Sequence, residues 1–408
     1  MKTGEKVYDA VIAGAGASGL MAAFGILSDG AEPLLLEKNP SPGRKILSTG
    51  AGKCNLSNEN ISPEKYHCDD RSFLERAFSA LPPAEIIRIF NEDLGLLTKT
   101  GEAGKIFPYS EKAESVLAAF GNFLEKNKAA SLFLFEITGA EKKDGLFRVH
   151  GETRKPNWVR GNFKSEKLSF LARKLILSCG GPSYPQLGGG ETGYALAESF
   201  GHSVKKPRTA LVPLTVREKD VRELAGVRLD CALKFEAPGE NFGTGGELLF
   251  TDYGLSGPAA LDAGRKISEL AGLKKIKVLI DLMPRFSPEK LGGLLSKRAG
   301  LSGMLDPKLE NYILRRAGPP KGGKTGPPLK LAALIKGLDF EISGTKGFSA
   351  AMTKAGGVPV SEADPSTFES LREKGLYLTG ETLDVDGESG GYNLHFAWTS
   401  GLLAGRAM

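Results

Sequence analysis

The sequence predicts an α/β fold, in which a parallel sheet with flanking helices is interrupted by a β-rich insert that carries a small helical subdomain. Apolar runs of strand length alternate with helical patterns in the first and last parts of the chain, and short strands fill the middle. Glycine clusters follow strands near both ends. We expect the sheet domain over residues 1–209 and 344–408, the insert over 210–343, and its helical subdomain over about 285–338.

The opening stretch predicts a strand, a glycine turn, a helix and a second strand. Residues 7–13 form an apolar run that leads directly into Gly14-Ala15-Gly16-Ala17-Ser18-Gly19, and apolar residues at helical spacing follow. Residues 33–36 form the second strand, which ends in Glu37-Lys38. This order indicates a dinucleotide-binding unit of the G-x-G-x-x-G type, whereas a glycine turn alone also serves helix packing.

Each residue type in this unit suits a bound dinucleotide. Gly14 permits a tight turn, Gly16 leaves the backbone open to a pyrophosphate, and Gly19 lets the helix pack on the strand. The positive end of the helix faces the phosphates, and the Glu37 carboxylate can accept hydrogen bonds from ribose hydroxyls. The predicted cofactor contacts here are Gly14, Gly16, Ala17, Ser18, Gly19, Glu37 and Lys38.

The composition is that of an ordinary globular protein. Hydrophobic residues make up 41% and charged residues 25% of the 408, and a net charge of +6 does not indicate a nucleic-acid or membrane partner. The four cysteines include no C-x-x-C pair and the four histidines no H-x-x-x-H pair, so no metal site is expected. Glu5 and Asp9 argue against a signal peptide, and we expect a cytoplasmic protein with reduced thiols.

A second glycine-rich stretch, residues 41–58, follows the dinucleotide unit directly. It combines small hydroxyl, amide and basic residues with few apolar ones, so it predicts a loop outside the core that wraps an anion. A solvated basic loop is the alternative. The predicted cofactor contacts here are Gly43, Arg44, Lys45, Thr49, Gly50, Gly52, Lys53, Cys54 and Asn55.

The next part of the chain predicts helices and then hairpins. Residues 72–128 show amphipathic helical spacing around a connection at 98–110. Residues 131–150 alternate as strands with a turn at 143–145, and the polar residues 151–167 form the exposed end of a further hairpin.

A buried central strand is predicted at residues 175–178, because this run is continuously apolar and stops at Cys179-Gly180-Gly181. Gly180 and Gly181 are therefore predicted cofactor contacts. Residues 188–193 match G-x-G-x-x-G a second time, but Pro182 and Pro185 precede them and no strand feeds the loop. We predict a turn that opens a helix over 193–200 rather than a second nucleotide site.

The insert is predicted from short strands and a helical stretch. The strands are Leu214–Val216, Arg228–Phe235, Glu247–Phe250 and Lys277–Leu282. Residues 287–314 and 329–338 predict helices, and the glycine- and proline-rich residues 317–328 predict a hinge or disordered loop. The lysines of this region are interpreted as a solvated linker.

The last part of the chain repeats the pattern of the first part, an apolar strand followed by a glycine turn. The strand at residues 376–379 stops at Gly380-Glu381, and paired glycines open an apolar helix over 394–407. An acidic residue can hold the ribityl hydroxyls of a flavin, and a helix start can stabilise negative charge on its reduced ring, so the pattern favours FAD over NAD. The predicted cofactor contacts here are Gly380, Glu381, Asp386, Gly391, Tyr392, Asn393 and Leu394.

These motifs resemble those of bacterial NAD(P)/FAD-dependent oxidoreductases that include bile-acid dehydro-reductases and aminoacetone oxidases. The matching segments are Gly14–Gly19, Glu37–Lys38, Gly43–Lys45, Ser48–Gly50, Gly52–Asn55, Gly180–Pro185, Leu211–Leu214, Gly246–Thr251, Ser256–Pro258 and Gly380–Asn393. The resemblance implies FAD bound by a discontinuous Rossmann-like domain of the two-dinucleotide-binding flavoprotein type, with a β-rich insert carrying a helical subdomain.

The chain departs from the usual pattern of that family at Lys53, Cys179, Thr192, Asp252 and His395. Lys53 stands where the family usually has Arg, and lysine cannot make a bidentate phosphate contact. Because Asp252 and His395 also differ, no acid–base role is transferred from the family to this chain.

The expected function is hydride transfer between flavin N5 and a small organic substrate held between the domains, with NAD(P)H as a diffusible electron donor. Candidate proton donors are Cys54, Tyr184, Tyr392 and His395, and no catalytic residue is assigned. Two other functions stay open. One is a flavin-dependent RNA-modifying or RNA-binding protein, and the other is a flavin-bound sensor without catalysis.

Overall fold

The computed structural model describes residues 6–156, 160, 163–270, 272, 275–297, 301, 303–318 and 328–407. The chain divides into two compact units. The first unit is Met1–Pro207 with Met352–Met408, and the second unit is Arg208–Ala351.

The strands are β1 (Val7–Ala13), β2 (Pro33–Glu37), β3 (Ser57–Asn58), β4 (Tyr66–His67), β5 (Thr98–Thr100), β6 (Lys105–Pro108), β7 (Ala130–Phe133), β8 (Phe135–Lys143), β9 (Leu146–Thr153), β10 (Lys167–Leu177), β11 (Lys205–Ala210), β12 (Leu214–Val216), β13 (Arg228–Ala237), β14 (Glu240–Phe250), β15 (Gly254–Ser256), β16 (Ile276–Asp281), β17 (Leu338–Thr345), β18 (Thr353–Gly357), β19 (Leu376–Leu378) and β20 (Asp386–Gly387). The α-helices are α1 (Ala17–Ser28), α2 (Arg71–Ala80), α3 (Pro83–Arg88), α4 (Ala113–Lys126), α5 (Thr192–Ser199), α6 (Pro258–Glu269), α7 (Pro288–Ser296), α8 (Pro307–Ala317), α9 (Pro328–Lys336) and α10 (Tyr392–Arg406).

The first unit is built on a seven-stranded sheet in the order β7-β2-β1-β10-β9-β8, with β19 also paired to β10. The neighbours β7, β2, β1, β10 and β19 run parallel, whereas β9 and β8 are antiparallel additions. Strand β10 serves two partners on one edge because β9 pairs with its first half and β19 with its last three residues. The predicted α/β fold with a parallel sheet of the Rossmann type is confirmed.

Helices α1 and α10 pack backbone against backbone. A Cβ atom on Gly401 would lie 2.2 Å from the carbonyl oxygen of Ser18, and one on Gly405 would lie 2.5 Å from that of Ala22. Such an approach is open only to glycine, because any side chain at either position would overlap the facing helix. The C-terminal helix is thereby fixed on the helix that follows the first glycine turn.

An aromatic cluster lies under α10. Trp398 stacks on Phe120 with ring centroids 5.7 Å apart and meets Phe90 edge-on at 5.3 Å, and all three side chains are buried. The indole N–H of Trp398 donates to the carbonyl oxygen of Leu56 at 3.1 Å. Aromatic pairs of this kind combine large buried area with directional contacts, so they hold α10 on α4 and on the chain around Leu56.

The second unit contains a closed barrel in the order β12-β15-β14-β13-β16-β17. Its strands alternate buried and exposed residues, as in β13 and β16, and the inward side chains of Phe235, Phe250 and Phe340 fill the barrel. Helix α6 packs on β14, and α7, α8 and α9 bury further leucines and isoleucines in the same core.

Several elements differ from the sequence prediction. Strand β14 begins seven residues before the predicted start at Glu247, because pairing with β13 extends a strand through Gly243, Gly245 and Gly246, which have low strand propensity. Helix α6 and strands β15 and β17 were not predicted, the helix predicted over 287–314 divides into α7 and α8, and the connection at 98–110 contains the β5–β6 hairpin. Most of the predicted hinge at 317–328 lies outside the described residues.

Candidate functional site

The ends of four parallel strands bring three glycine turns together. The amide of Gly14, after β1, donates to the Leu36 carbonyl oxygen of β2 at 2.8 Å. The amide of Ser178, after β10, donates to the Ala13 carbonyl oxygen at 2.9 Å, and that of Thr379, after β19, to Leu177 at 3.1 Å. The carboxyl edge of a parallel sheet is where such folds bind ligands, so this edge is the candidate site.

The first glycine turn has the geometry of a phosphate-binding loop. Gly14 has a φ of +105°, and a Cβ on Gly19 would lie 1.9 Å from the Gly14 carbonyl oxygen. A Cβ on Gly16, by contrast, would meet no atom within 4 Å. Gly14 and Gly19 are thus required by the fold, whereas the space at Gly16 opens beside the N-terminus of α1, whose first N–H groups have no partner within the helix.

Glu37 lies buried at the end of β2 and serves this turn. One of its carboxylate oxygens accepts from the amide of Ala15 at 2.9 Å, and the other accepts from the backbone and side-chain N–H groups of Asn39 at 2.8 and 2.7 Å. A carboxylate has about four acceptor positions, so one is left for a further donor such as a ribose hydroxyl. Asn39 was not among the predicted residues. The neighbouring Lys38 lies beside Gly190, where a Cβ would be 3.2 Å from its Nζ.

The tail of the chain reaches the same turn. Gly380 has a φ of +56°, and a Cβ there would lie 2.8 Å from the hydroxyl oxygen of Ser18. Its amide donates to Ser400 Oγ on α10 at 2.9 Å. Two predicted cofactor segments, one from each end of the sequence, are therefore in direct contact.

The second glycine-rich stretch joins both segments. The amide of Gly43 donates to the Ala15 carbonyl oxygen at 2.8 Å, and Lys45 forms an ion pair with Glu381 at 2.6 Å. The prediction that this stretch lies outside the core is wrong in part, because Ile46, Cys54 and Leu56 are buried. These few apolar residues lie inside the core. The stretch can bury them because several of its residues, which include Gly50, Gly52 and Cys54, have a left-handed backbone conformation.

The other predicted residues of this stretch have partners elsewhere. Arg44 donates to the side-chain oxygen of Asn39 at 3.2 Å, and Thr49 donates its hydroxyl to the Ile46 carbonyl oxygen at 2.7 Å. Lys53 forms an exposed ion pair with Glu111 at 2.6 Å. The structure thus does not group Lys53 with the glycine turns.

The start of α10 meets the Cys54-Asn55 loop. Gly391 has a φ of +101°, and a Cβ there would lie 2.4 Å from the Ser57 carbonyl oxygen and 2.9 Å from Asn55 Oδ1. That amide oxygen is buried and accepts no hydrogen bond from any described residue. A buried acceptor without a donor is costly, which marks it as a place for a donor from a bound group.

The remaining predicted residues around α10 have structural contacts. Asn393 exchanges two hydrogen bonds with the backbone of Gly387, at 2.8 and 2.9 Å. Tyr392 is buried edge-on against Tyr66, whose hydroxyl donates to the Tyr392 carbonyl oxygen at 3.0 Å. Asp386 is buried in β20, and Leu394 is half-buried.

The double glycine after β10 lies against two side chains that the sequence prediction missed. Gly180 has a φ of +72°, and Gly181 is buried. A Cβ on Gly181 would lie 2.8 Å from the hydroxyl oxygen of Tyr194 and 2.9 Å from Cγ of Lys354. The sequence signal for Lys354 is that it is the single charged residue in the run 350–358, whose other residues are small or apolar and include the paired glycines Gly356-Gly357.

Burial shifts the pKa values of two candidate proton donors, His395 and Cys54, and of the Cys179 thiol. His395 is fully buried, with Nδ1 2.9 Å from the Ser57 hydroxyl and no partner for Nε2 among the described residues, and burial lowers its pKa to about 3. Burial raises the pKa of the Cys54 thiol to about 12 and that of Cys179 likewise to about 12. All three side chains are therefore neutral near pH 7.

Within the described part of the chain, no group of three or more His, Cys, Asp or Glu residues could hold a metal ion. No described helix has both the length and the apolar character that crossing a bilayer requires.

Comparisons with known proteins agree with this architecture. Residues 8–407 match the family described as HI0933-like protein Rossmann domain. The chain is 34% identical to a 3-dehydro-bile acid delta(4,6)-reductase of Clostridium scindens, over 97% of this chain and 98% of that protein. It is 29% identical to a ribosomal RNA dihydrouridine synthase of Haemophilus influenzae, over 96% of each.

A solved structure shows the same fold. The 3-ketosteroid delta1-dehydrogenase from Sterolibacterium denitrificans, determined with 1,4-androstadiene-3,17-dione, aligns with a TM-score of 0.54 over 98% of this chain and 99% of its own, at 12% identity. The family resemblance inferred from the motifs is confirmed. The chain belongs to the HI0933-like Rossmann family.

Proposed function

We propose that the protein is an FAD-dependent reductase that acts on a carbon–carbon double bond conjugated to a carbonyl group. The observation that carries the proposal is the contact between Gly380 and Ser18, which joins the glycine turn after β1 to the glycine turn after β19. NAD would need the first turn alone, whereas FAD extended across the sheet edge would use the first turn for its pyrophosphate and the second for its flavin half.

The residues fit FAD in three ways. Gly16 offers space and helix N–H groups for the pyrophosphate, and Glu37 retains acceptor capacity for a ribose hydroxyl. Asn55 Oδ1 has no hydrogen-bond donor in the part of the chain that the structure describes, and a flavin ring N–H would supply one. The bound flavin supplies two-electron hydride chemistry at N5, and the chain's residues bind and orient it.

The substrate class is proposed from chemistry shared by two relatives. The Clostridium scindens relative is named for reducing double bonds of a 3-oxo bile acid, and the Haemophilus influenzae relative is named for making dihydrouridine. Both names describe reduction of a ring double bond that is conjugated to a carbonyl group. Such a double bond accepts hydride at the carbon β to the carbonyl group. A small-molecule substrate and NAD(P)H as electron donor complete the proposal.

The proton that completes the reduction has restricted sources. His395 lacks the imidazolium form that would donate it, and the raised pKa of Cys54 disfavours the thiolate that donation would leave. Tyr184 and Tyr392 stay candidates, together with water.

Anaerobic stopped-flow spectroscopy tests the proposal. The FAD-loaded protein is mixed with NADH or NADPH, and the reduced protein is then mixed with a saturated ketone, a 4-ene-3-oxo steroid or a 4,6-diene-3-oxo bile acid. We expect reoxidation by the conjugated compounds and none by the saturated ketone. Equal rates with saturated and conjugated compounds would contradict the substrate class.

The second candidate is reduction of uridine in ribosomal RNA, which the name of the 29%-identical relative favours. The same reduced protein is mixed with an rRNA transcript at two salt concentrations. RNA-dependent reoxidation with formation of dihydrouridine would select this function over the small-molecule one.

A further inference from the structure

Lys354 is a fully buried lysine in β18 of the first unit, with no exposed surface. Its ammonium donates to the Leu383 carbonyl oxygen at 2.6 Å and to the carbonyl oxygen of Gly356. The amide of Gly356 in turn donates to Asp384 Oδ1 at 2.7 Å. Lys354 thus ties β18 to the segment that follows Gly380.

The side chain of Lys354 also lies against the glycine turn after β10. A Cβ on Gly181 would lie 2.9 Å from its Cγ and 3.4 Å from its Cε, and one on Gly357 would lie 2.9 Å from its Nζ. Larger residues at Gly181 or Gly357 would displace the lysine. It therefore stands among three segments that carry or adjoin predicted cofactor contacts.

The charge of Lys354 has no direct counter-ion among the described residues, since both of its hydrogen-bond acceptors are backbone carbonyls. Burial lowers its pKa to about 8, against the opposing effect of the more distant Glu381, Asp384 and Asp386. The amine is thus mostly protonated at pH 7. A buried charge without a paired anion is costly, and a negatively charged bound group would offset that cost.

We propose that Lys354 positions the flavin and sets its reduction potential, by fixing the Gly380–Asp386 segment and by placing a positive charge that favours the more negatively charged reduced cofactor. This inference rests on the proposed binding of FAD. It assigns Lys354 to positioning and electrostatics, not to the reacting atoms.

Two substitutions separate the effect of the two hydrogen bonds to backbone carbonyls from the effect of the positive charge. Lys354→Met removes both, whereas Lys354→Gln keeps N–H donors for the two carbonyls and removes the charge. Lys174→Met is the control, because Lys174 is a partly buried lysine that likewise donates to a backbone carbonyl, that of Ala407 at 2.8 Å.

The readouts are the dissociation constant of oxidised FAD and the midpoint potential of the bound flavin. In both Lys354 variants we expect the affinity for reduced relative to oxidised FAD to fall at least about tenfold, which is about 30 mV for a two-electron couple. Oxidised FAD should bind Lys354→Gln nearly as tightly as wild type, and Lys354→Met more weakly. Lys174→Met should match wild type in both measurements.

The wild-type protein offers a test that needs no variant. If reduction of the flavin raises the pKa of Lys354, then above about pH 8 Lys354 takes up one further proton when the flavin is reduced. The midpoint potential should therefore fall more steeply with pH in that range. The other ionisable groups facing it are Glu381, Asp384, Asp386, Lys45 and Tyr194. A change of slope that persists in Lys354→Gln would belong to one of them or to the flavin itself, and would overturn the assignment.

The outcomes distinguish this inference from the proposed function. Wild-type protein that binds no FAD would overturn both. Wild-type protein that binds FAD, with folded Lys354 variants at the wild-type potential, would overturn the role of Lys354 alone. If both variants fail to fold, the wild-type potential still decides, because a constant slope through pH 8 to 10 would contradict the inference.

Discussion

The ammonium of Lys45 donates to both carboxylate oxygens of Glu381, at 2.6 and 2.9 Å, across 336 residues of sequence. Both side chains are mostly shielded, with 30% and 20% of their surfaces exposed. The pair connects the second glycine-rich stretch to the turn after β19. It shows that Lys45, which the sequence assigned to an anionic ligand, already has an anionic partner in the chain.

This pair should contribute measurably to the stability of the unliganded protein. In a double-mutant cycle of Lys45→Met and Glu381→Gln, we expect a coupling free energy of about 1 kcal/mol, the upper part of the range for exposed pairs, because both groups are shielded. Urea denaturation of the FAD-free protein measures it. Strictly additive effects would show that the two groups act independently.

Gly16→Ala should separate cofactor binding from folding. A Cβ there meets no atom of the described residues within 4 Å, so the free energy of unfolding of the FAD-free protein should fall by no more than about 1 kcal/mol, the cost of alanine in place of glycine at the N-cap of α1. The affinity for FAD should fall at least about tenfold, or roughly 1.4 kcal/mol, because the methyl group occupies the approach of the pyrophosphate. Gly121→Ala, at another unobstructed position in α4, is the control and should leave affinity unchanged. Undiminished affinity in Gly16→Ala would argue against a phosphate at this turn.

Gly401→Ala should destabilise the first unit. Its Cβ would lie 2.2 Å from the Ser18 carbonyl oxygen, so α1 and α10 must separate, at a cost of about 1–3 kcal/mol. Chemical denaturation measures the loss. Gly293→Ala in α7 has no atom within 4 Å of the new methyl group and should be neutral or stabilising. Equal stability of the two variants would be inconsistent with the close helix pair.

His395 should make the protein less stable in acid. Its pKa of about 3 in the folded chain lies below the value of about 6.5 expected after unfolding, so unfolding takes up a proton between these pH values. The free energy of unfolding should therefore fall as pH drops from about 6.5 towards 3, with a share of about 1.4 kcal/mol per pH unit from His395.

His395→Gln should remove that share, as measured by denaturation at a series of pH values. His202, whose pKa is also lowered mainly by burial, remains in the variant and accounts for part of the residual slope. His150→Gln, at a partly exposed position in β9, is the control. An unchanged pH dependence in His395→Gln would mean that His395 is charged in the folded chain.

The sequence predicts the sheet edge well because its signals are local. Residues 7–38 and 376–381 each combine an apolar strand with a glycine turn, and β1, β2 and β19 form where those patterns lie. The helix predicted over 394–407 begins two residues earlier, at Tyr392, where Gly391 adopts a left-handed conformation.

Other features depend on pairing between distant residues, which no local pattern reveals. Strand β14 passes through three glycines because β13 supplies its hydrogen bonds. Cys54 and Leu56 are buried in a stretch of polar composition, and Trp398 of the distant helix α10 donates to the Leu56 carbonyl oxygen. Lys354 was missed because lysine is rarely buried, so composition predicts it at the surface.

We propose that the glycine turns after β1 and β19 together hold one flavin. Titration of the gently purified, FAD-free protein with FAD, followed by the visible spectrum and by flavin fluorescence, tests it most directly. We expect saturation at one FAD per chain, with loss of affinity in Gly16→Ala and none in Gly121→Ala. A protein that is colourless once unbound FAD has been removed, or a Gly16→Ala variant that keeps the wild-type affinity for FAD, would rule out this arrangement.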